Sequence, residues 1–172
     1  WRRLGQMVGR FLRHLFMPPW RLWRHFPPAL LAEIESAIRA SETRHAGEIR
    51  FAVESALPSA ALLRGVTARE AALKVFADLK VWDTEHNSGV LIYVLLADHD
   101  IEIVADRGIA ARVEQREWDD IAKLMERHFR AGDFRAGIFE GIRRVTELLE
   151  RHFPPGSENP DELPNQPVLL KS

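Results

Sequence analysis

The run GVLIYVLLA, Gly89 to Ala97, constrains this chain more tightly than any other stretch. It carries no charge and falls far short of the roughly 20 apolar residues that a membrane-spanning helix needs. Valine, isoleucine and tyrosine favour the pleated surface of a sheet. A short unbroken run of this kind predicts a central strand buried on both faces, so other elements must cover the sheet from two sides. The neighbouring segments agree. Asp98-His99-Asp100 turns the chain, and IEIVA alternates back as an antiparallel partner. Upstream, EIRFAVESAL sets Ile49, Phe51 and Val53 against Arg50, Ala52 and Glu54, the alternation of a half-buried strand. Thr67-Ala68-Arg69-Glu70 has the spacing of a capping box. It predicts a helix running to about Trp82, with Ala72, Leu73, Phe76 and Leu79 facing inward. That helix joins the first two strands, which must then run parallel through a right-handed crossover.

Flanking helices complete the class: α/β, a three-layer α/β/α sandwich around a small mixed sheet. Pro28 opens a helix through PALLAEIESAIRASETRH, with Leu31, Ile34, Ala37 and Ile38 inward. After Asp106 the pattern is helical again, with a short piece at 109–113, a helix from about Glu117 to Ala131 and a last one from Phe134 to His152. Pro27-Pro28 marks a boundary. The chain is therefore read as a basic arm (1–28), a domain (29–153) and a proline-rich tail (154–172) whose composition predicts disorder.

The net charge of -1 hides an asymmetry. Arg2, Arg3, Arg10, Arg13, Arg21 and Arg24 precede the first acid, Glu33, which leaves -7 for the rest. Trp1, Leu4, Val8, Phe11 and Leu15 recur at helical spacing, widened by Met7, Leu12 and Phe16. An amphipathic helix rich in arginine and free of acids suits an anionic membrane surface. It suits equally a docking site on its own domain, a partner protein or a second copy. Arginines and tryptophans could also meet nucleic acid, but the acidic body opposes that, so residues 1–26 give no strong nucleic-acid signal. VGRFLRHLFMPPW is too interrupted by arginine for a secretory signal, so a cytoplasmic, peripheral-membrane location is expected.

The topology gathers polar residues at one sheet edge. The first strand starts after HAG, the second after DTEHNS, and the third ends before DRG. Glu42, His45, Glu48, Asp83, Glu85, His86, Asn87, Asp106 and Arg107 therefore meet in one neighbourhood. Carboxylates with an amide and backbone carbonyls are the ligands that hard cations such as calcium or magnesium prefer. Polar turn residues also collect at any sheet edge, where Asp and Asn cap helices. With no cysteine, thiolate nucleophiles and cysteine-based zinc sites are excluded. Phosphate loops, serine elbows and paired-histidine zinc motifs are absent too. Metal-assisted hydrolysis is the one enzyme chemistry left open.

At these residues the chain resembles the TPM domain family. The resemblance rests on Ser41-Glu42-Thr43-Arg44-His45-Ala46-Gly47-Glu48-Ile49, on Asn87-Ser88-Gly89-Val90-Leu91-Ile92, and on Ala105-Asp106-Arg107-Gly108-Ile109. Trp118, Phe129, Gly132, Phe134, Gly137, Ile138, Gly141 and Ile142 match the glycine-spaced end of such domains. The likeness implies a divalent-cation site at the sheet edge. It also implies either a weak phosphatase or calcium-binding activity or an assembly accessory without catalysis. Asn87-Ser88-Gly89 stands where many members have Asp-Asn-Gly, so one ligand is lost unless Asp83, Glu85 or His86 replaces it.

The expected function is thus an accessory or binding module with a weak calcium or magnesium site. Asp83, Asn87 and Asp106 are the preferred ligands, and Glu48, Glu85 and His86 the reserves. The competing reading is a metal-dependent phosphatase using the same acids, with Arg107 as the phosphate clamp.

Overall fold

The computed structural model describes residues 2–170, and side chains from Leu4 onward. Among the described residues, four strands lie in the order β3-β2-β1-β4. β2 (Gly89–Leu95) is buried at every position, as an apolar run in the centre of a sheet must be. β1 (Glu48–Glu54) pairs parallel to it with Glu48 opposite Gly89, and β3 (Asp100–Ala105) pairs antiparallel with Ala105 opposite Val90. Between β2 and β3 a 3-10 turn over Leu96–Asp98 ends at His99, whose φ of 52 reverses the chain.

Helices cover both faces of the sheet, giving the expected α/β class. On one side α3 (Pro28–Glu42), α7 (Gln115–Arg130) and α8 (Phe134–His152) enclose Ile34, Ile38, Ile49, Phe51, Trp118 and Phe129. On the other, α4 (Ser59–Leu63) and α5 (Ala68–Asp78) cover Ala52, Leu91, Tyr93 and Leu95. The Thr67 box forms as its spacing predicts: Glu70 N donates to the Thr67 hydroxyl at 3.2 Å, and Thr67 N donates to the Glu70 carboxylate at 2.8 Å. Of the expected inward face, Ala72 is buried and Phe76 and Leu79 pack against the core, while Leu73 is exposed. Ala68, Ala71 and Val75 complete the buried side.

Both ends of the chain depart from their expected roles. The boundary at Pro27-Pro28 separates nothing, because α2 (Pro19–His25) sends Leu22 into the main core and Phe26 follows it there. His25 stacks on Phe134 with ring centroids 4.1 Å apart. α1 (Arg2–Leu15) leans on the 3-10 turn and α4. Leu57 N donates to its buried His14 Nδ1 at 2.9 Å, and His14 Nε2 lies 3.0 Å from Asp98.

The tail, expected to be disordered, is a docked strap. Its last piece, β4 (Val168–Leu170), pairs parallel with Ala52–Glu54 and extends the sheet beyond β1. Arg50 supplies the anchor by donating to the carbonyls of Pro164 and Gln166. Covered in this way, β1 is buried on both faces rather than half-buried. Composition misleads here because the strap is held by contacts to residues more than a hundred positions away. Trp1 lies outside the described residues, as do the side chains of Arg2 and Arg3.

Candidate functional site

Backbone pairing draws the three loops together at the edge of the sheet where β1 and β2 begin and β3 ends. Glu48 N donates to Ser88 O at 3.0 Å, Asp106 N to Gly89 O at 2.8 Å, and Gly108 N to Asn87 O at 3.1 Å. The approach at Gly108 admits no side chain: a Cβ there would lie 2.4 Å from His86 O and 2.6 Å from Asn87 O. Asn87 takes a left-handed φ of 52, which asparagine tolerates better than most residues. Its Oδ1 accepts from Arg107 Nε at 3.0 Å.

Asp106 opens the short helix α6 (Arg107–Ala110), with Oδ1 accepting from Arg107 N at 2.8 Å. Its Oδ2 is buried and has no partner, as does the nearby Ser88 hydroxyl. Asp83, Glu85, His86 and Arg107 stand on the exposed side of these loops. Glu85 N donates to Glu162 of the tail at 2.9 Å, so the loop and the strap touch.

Among the described residues, the carboxylates that converge are Glu42, Glu48 and Asp161, with one oxygen of each within 4.8 Å of the others. α3 delivers Glu42 at its last turn, β1 delivers Glu48 at its first residue, and the tail brings Asp161. Glu42 Oε1 accepts from Ile49 N at 2.8 Å, and Glu48 Oε2 accepts from Leu163 N at 3.1 Å. Asp161 Oδ2 accepts from Asn165 Nδ2 at 3.0 Å. Glu42 Oε2 and Asn165 Oδ1 are buried without partners, on side chains only 7% and 6% exposed.

Burial dominates the electrostatics. It pushes the Glu42 carboxyl up to about 8 and the Glu48 carboxyl up to about 7, and the neighbouring acids push in the same direction. Arg50 lies close enough to feel Glu42. Asp161 meets solvent, so the cost of ionisation falls on the two buried carboxyls, and protons or a bound cation would relieve it.

A second buried chain, beside the cluster, is fully satisfied. Gly47 N donates to His45 Nδ1 at 3.1 Å, so the ring proton sits on Nε2, 2.8 Å from the Ser41 hydroxyl. Ser41 in turn lies 2.6 Å from Thr146, which donates to Ile142 O. Burial lowers His45 to about 4, so the ring stays neutral. The tail locks this corner as well, through Asn159 Nδ2 donating to Glu42 O and His45 O at 2.8 and 3.0 Å.

A family model for the TPM domain matches residues 25–148. The chain belongs to the TPM domain family. Among solved structures, this TPM domain is similar to the BA42 protein from the psychrophilic bacterium Bizionia argentinensis, determined by NMR. They share 31% identity over 82% of this chain and 92% of that one, with a TM-score of 0.72. The N-terminal domain of a P. gingivalis protein has the same fold at 18% identity, covering 76% of this chain and 82% of its own, with a TM-score of 0.60. No curated protein matches the sequence. The matched region ends before the tail, so Asp161 and Asn165 lie outside the part that the family model recognises.

Convergence at the sheet edge was legible for Glu42 and Glu48. Asp161 and Asn165 escape sequence reasoning because the composition of the strap that carries them predicts disorder. A signal existed in the apolar triplet Val168-Leu169-Leu170, which a solvated tail has no reason to carry.

Proposed function

We propose that this TPM domain is a cation-dependent binding module that holds calcium or magnesium at Glu42, Glu48 and Asp161, with Asn165 Oδ1 as a neutral fourth ligand. The carrying observation is the convergence of one oxygen each from Glu42, Glu48 and Asp161 within 4.8 Å, two of these side chains being buried. Oxygen ligands of this kind and number suit a hard divalent cation, which would also offset the burial of the two glutamates. Asp83, Asn87 and Asp106, which the sequence favours as ligands, take second place to this cluster. Glu48 moves from reserve to centre, and Asp106 with its free Oδ2 is the loop residue best placed for an adjoining role. Asp83, Glu85 and His86 face solvent.

The binding reading is favoured over the phosphatase by access. A metal-assisted hydrolase needs an open coordination position, an oriented water and a substrate clamp. Glu42 and Glu48 lie beneath the strap, and Arg107 Nε is held by Asn87. Titration of calcium and of magnesium, followed by backbone NMR, tests the proposal. The amides of Ile49 and Leu163 should move first, because they donate to the proposed ligands. Glu42→Gln should abolish those shifts, and a generic phosphate ester should remain uncleaved. Shifts confined to Asn87–Gly108 would overturn the ligand set. Cation-dependent turnover lost in Asp106→Ala would overturn the binding reading in favour of the phosphatase.

A further inference from the structure

We propose that the outer face of the N-terminal arm is a docking surface for an anionic lipid bilayer. This inference is independent of the cation site. α1 has two faces with different fates. Arg10, Arg13 and His14 point to the body: Arg10 Nε lies 2.8 Å and Arg13 Nη2 3.1 Å from the Asp98 carboxylate, and Arg10 Nη1 donates to Val66 O at 2.9 Å. Leu4, Val8, Leu12, Leu15 and Phe16, at spacings of four, four, three and one, form the opposite stripe. All five are exposed, Phe16 by 73%. The polar clip fixes this orientation, because turning the stripe inward would break every contact to Asp98. Single exposed apolar residues are ordinary, but a stripe of five on one helix marks an interaction surface.

Leu63 of α4, 74% exposed, continues the apolar surface across a groove of about 450 Å³ that Leu4, Val8 and Phe11 also line. Trp20 and Trp23 of α2 are half-exposed. An indole ring is apolar with a single N–H, which suits the headgroup level of a membrane.

Charge selects the occupant. The first 32 residues contain no acid, and Asp98 takes up Arg10 and Arg13. Arg21 and Arg24 are exposed between the two tryptophans and the core residues of α2. Anionic headgroups complement such a surface. A second copy does not: a two-fold contact would set each acid-free arm against another. No helix among the described residues is long and apolar enough to cross a membrane, so contact through this arm would be at the surface.

The test is co-sedimentation of the full chain with phosphatidylcholine vesicles, with and without phosphatidylserine, alongside tryptophan fluorescence. Binding to the anionic vesicles with a blue shift of emission is expected, weakening as salt is raised. Arg21→Gln should lower the partition coefficient about fivefold and the Arg21→Gln/Arg24→Gln pair about 25-fold, since each arginine near an anionic surface contributes about 1 kcal/mol. Leu12→Gln/Phe16→Ser changes only exposed positions, keeps the fold by circular dichroism, and should abolish binding. Protein that stays in the supernatant with both lipids would overturn the proposal, as would binding unchanged in the Leu12→Gln/Phe16→Ser variant. A dimer found by sedimentation equilibrium without lipid, and lost in that variant, would assign the face to a second copy instead.

Discussion

The two ends of this chain are attached to the same sheet by opposite electrostatics. The C-terminal strap closes over carboxyls that burial pushes up, Glu42 to about 8 and Glu48 to about 7. The N-terminal arm is clipped to a carboxyl that ends well below its usual range. Burial alone would raise Asp98, but its contacts with His14, Arg10 and Arg13 outweigh that and hold it down. One attachment has more carboxyls than cations and the other more cations than carboxyls. Proximity to the core therefore does not decide how a terminal segment behaves; the balance of charge beneath it does. A strap over uncompensated acids is a segment that protons or a cation can fasten. An arm over a compensated acid stays fastened across the neutral range and can present its other face outward.

The largest expected effect tests whether the arm is an appendage at all. Phe26 is fully buried and meets the rings of Phe51 and Phe134, both at 6.4 Å. Truncation of such a side chain leaves a cavity as well as losing transfer energy, so Phe26→Ala should cost about 3–5 kcal/mol in denaturant unfolding. A cost below about 1 kcal/mol would restore the boundary at Pro27-Pro28 and detach the arm from the comparison.

The strap provides the next effect. Glu42 and Glu48 hold protons in the folded state that the unfolded chain has already released above its ordinary value of 4.5. Their contribution is complete below about pH 4.5 and drains away as the pH climbs through about 7 and 8. Each group gives up about 1.4 kcal/mol per pH unit while it is differentially protonated. In chelator, stability should therefore fall by about 3 kcal/mol between about pH 6 and 7, and further towards pH 8. Calcium should restore it at pH 8 and change little at pH 5.5. Asp100 is also pushed up to about 7, by burial and Glu126, so Glu42→Gln is needed to isolate the cluster's share. Amide exchange at Leu163 and Val168–Leu170 should quicken at pH 8 without cation. A slope that persists unchanged in Glu42→Gln would separate the strap from the acids.

The sequence exposed the sheet and concealed the strap for one reason. The Gly89–Ala97 run, the Thr67 capping box and the limits of α8 are local signals, readable from neighbours within a few residues. The pairings around β2 followed from them, and so did the meeting of Glu42, Glu48, Asn87 and Asp106 at one edge. The strap has no local signal of comparable strength. Its three-residue strand exists because Arg50 binds the Pro164 and Gln166 carbonyls and because β1 offers an open edge. The face of α5 was legible for the same local reason: Ala72, Phe76 and Leu79 turn inward as their spacing predicts, and Leu73, at the rim of that stripe, turns out.

The smallest effect separates the two attachments most cleanly. Asp98→Asn keeps the shape of the side chain and removes the charge that Arg10, Arg13 and His14 share. Breaking a wholly buried ion pair costs several kcal/mol, but Arg13 is 58% exposed and its share is screened by water. A loss of about 1–2 kcal/mol is expected, or a fall of roughly 3–6 °C in Tm for a chain of this size. The pH dependence should change with the opposite sign to that of the strap. A depressed carboxyl contributes stability above its ordinary value of 3.8 and loses it as the pH falls towards the folded value. Wild type should therefore lose this contribution in acid, and Asp98→Asn should have none to lose. Hydrogen exchange locates the effect: amides of α1 should quicken in the variant while those of Val168–Leu170 keep their wild-type rates. Faster exchange at both ends would mean that the arm and the strap are coupled through the sheet, and the contrast between them would fail.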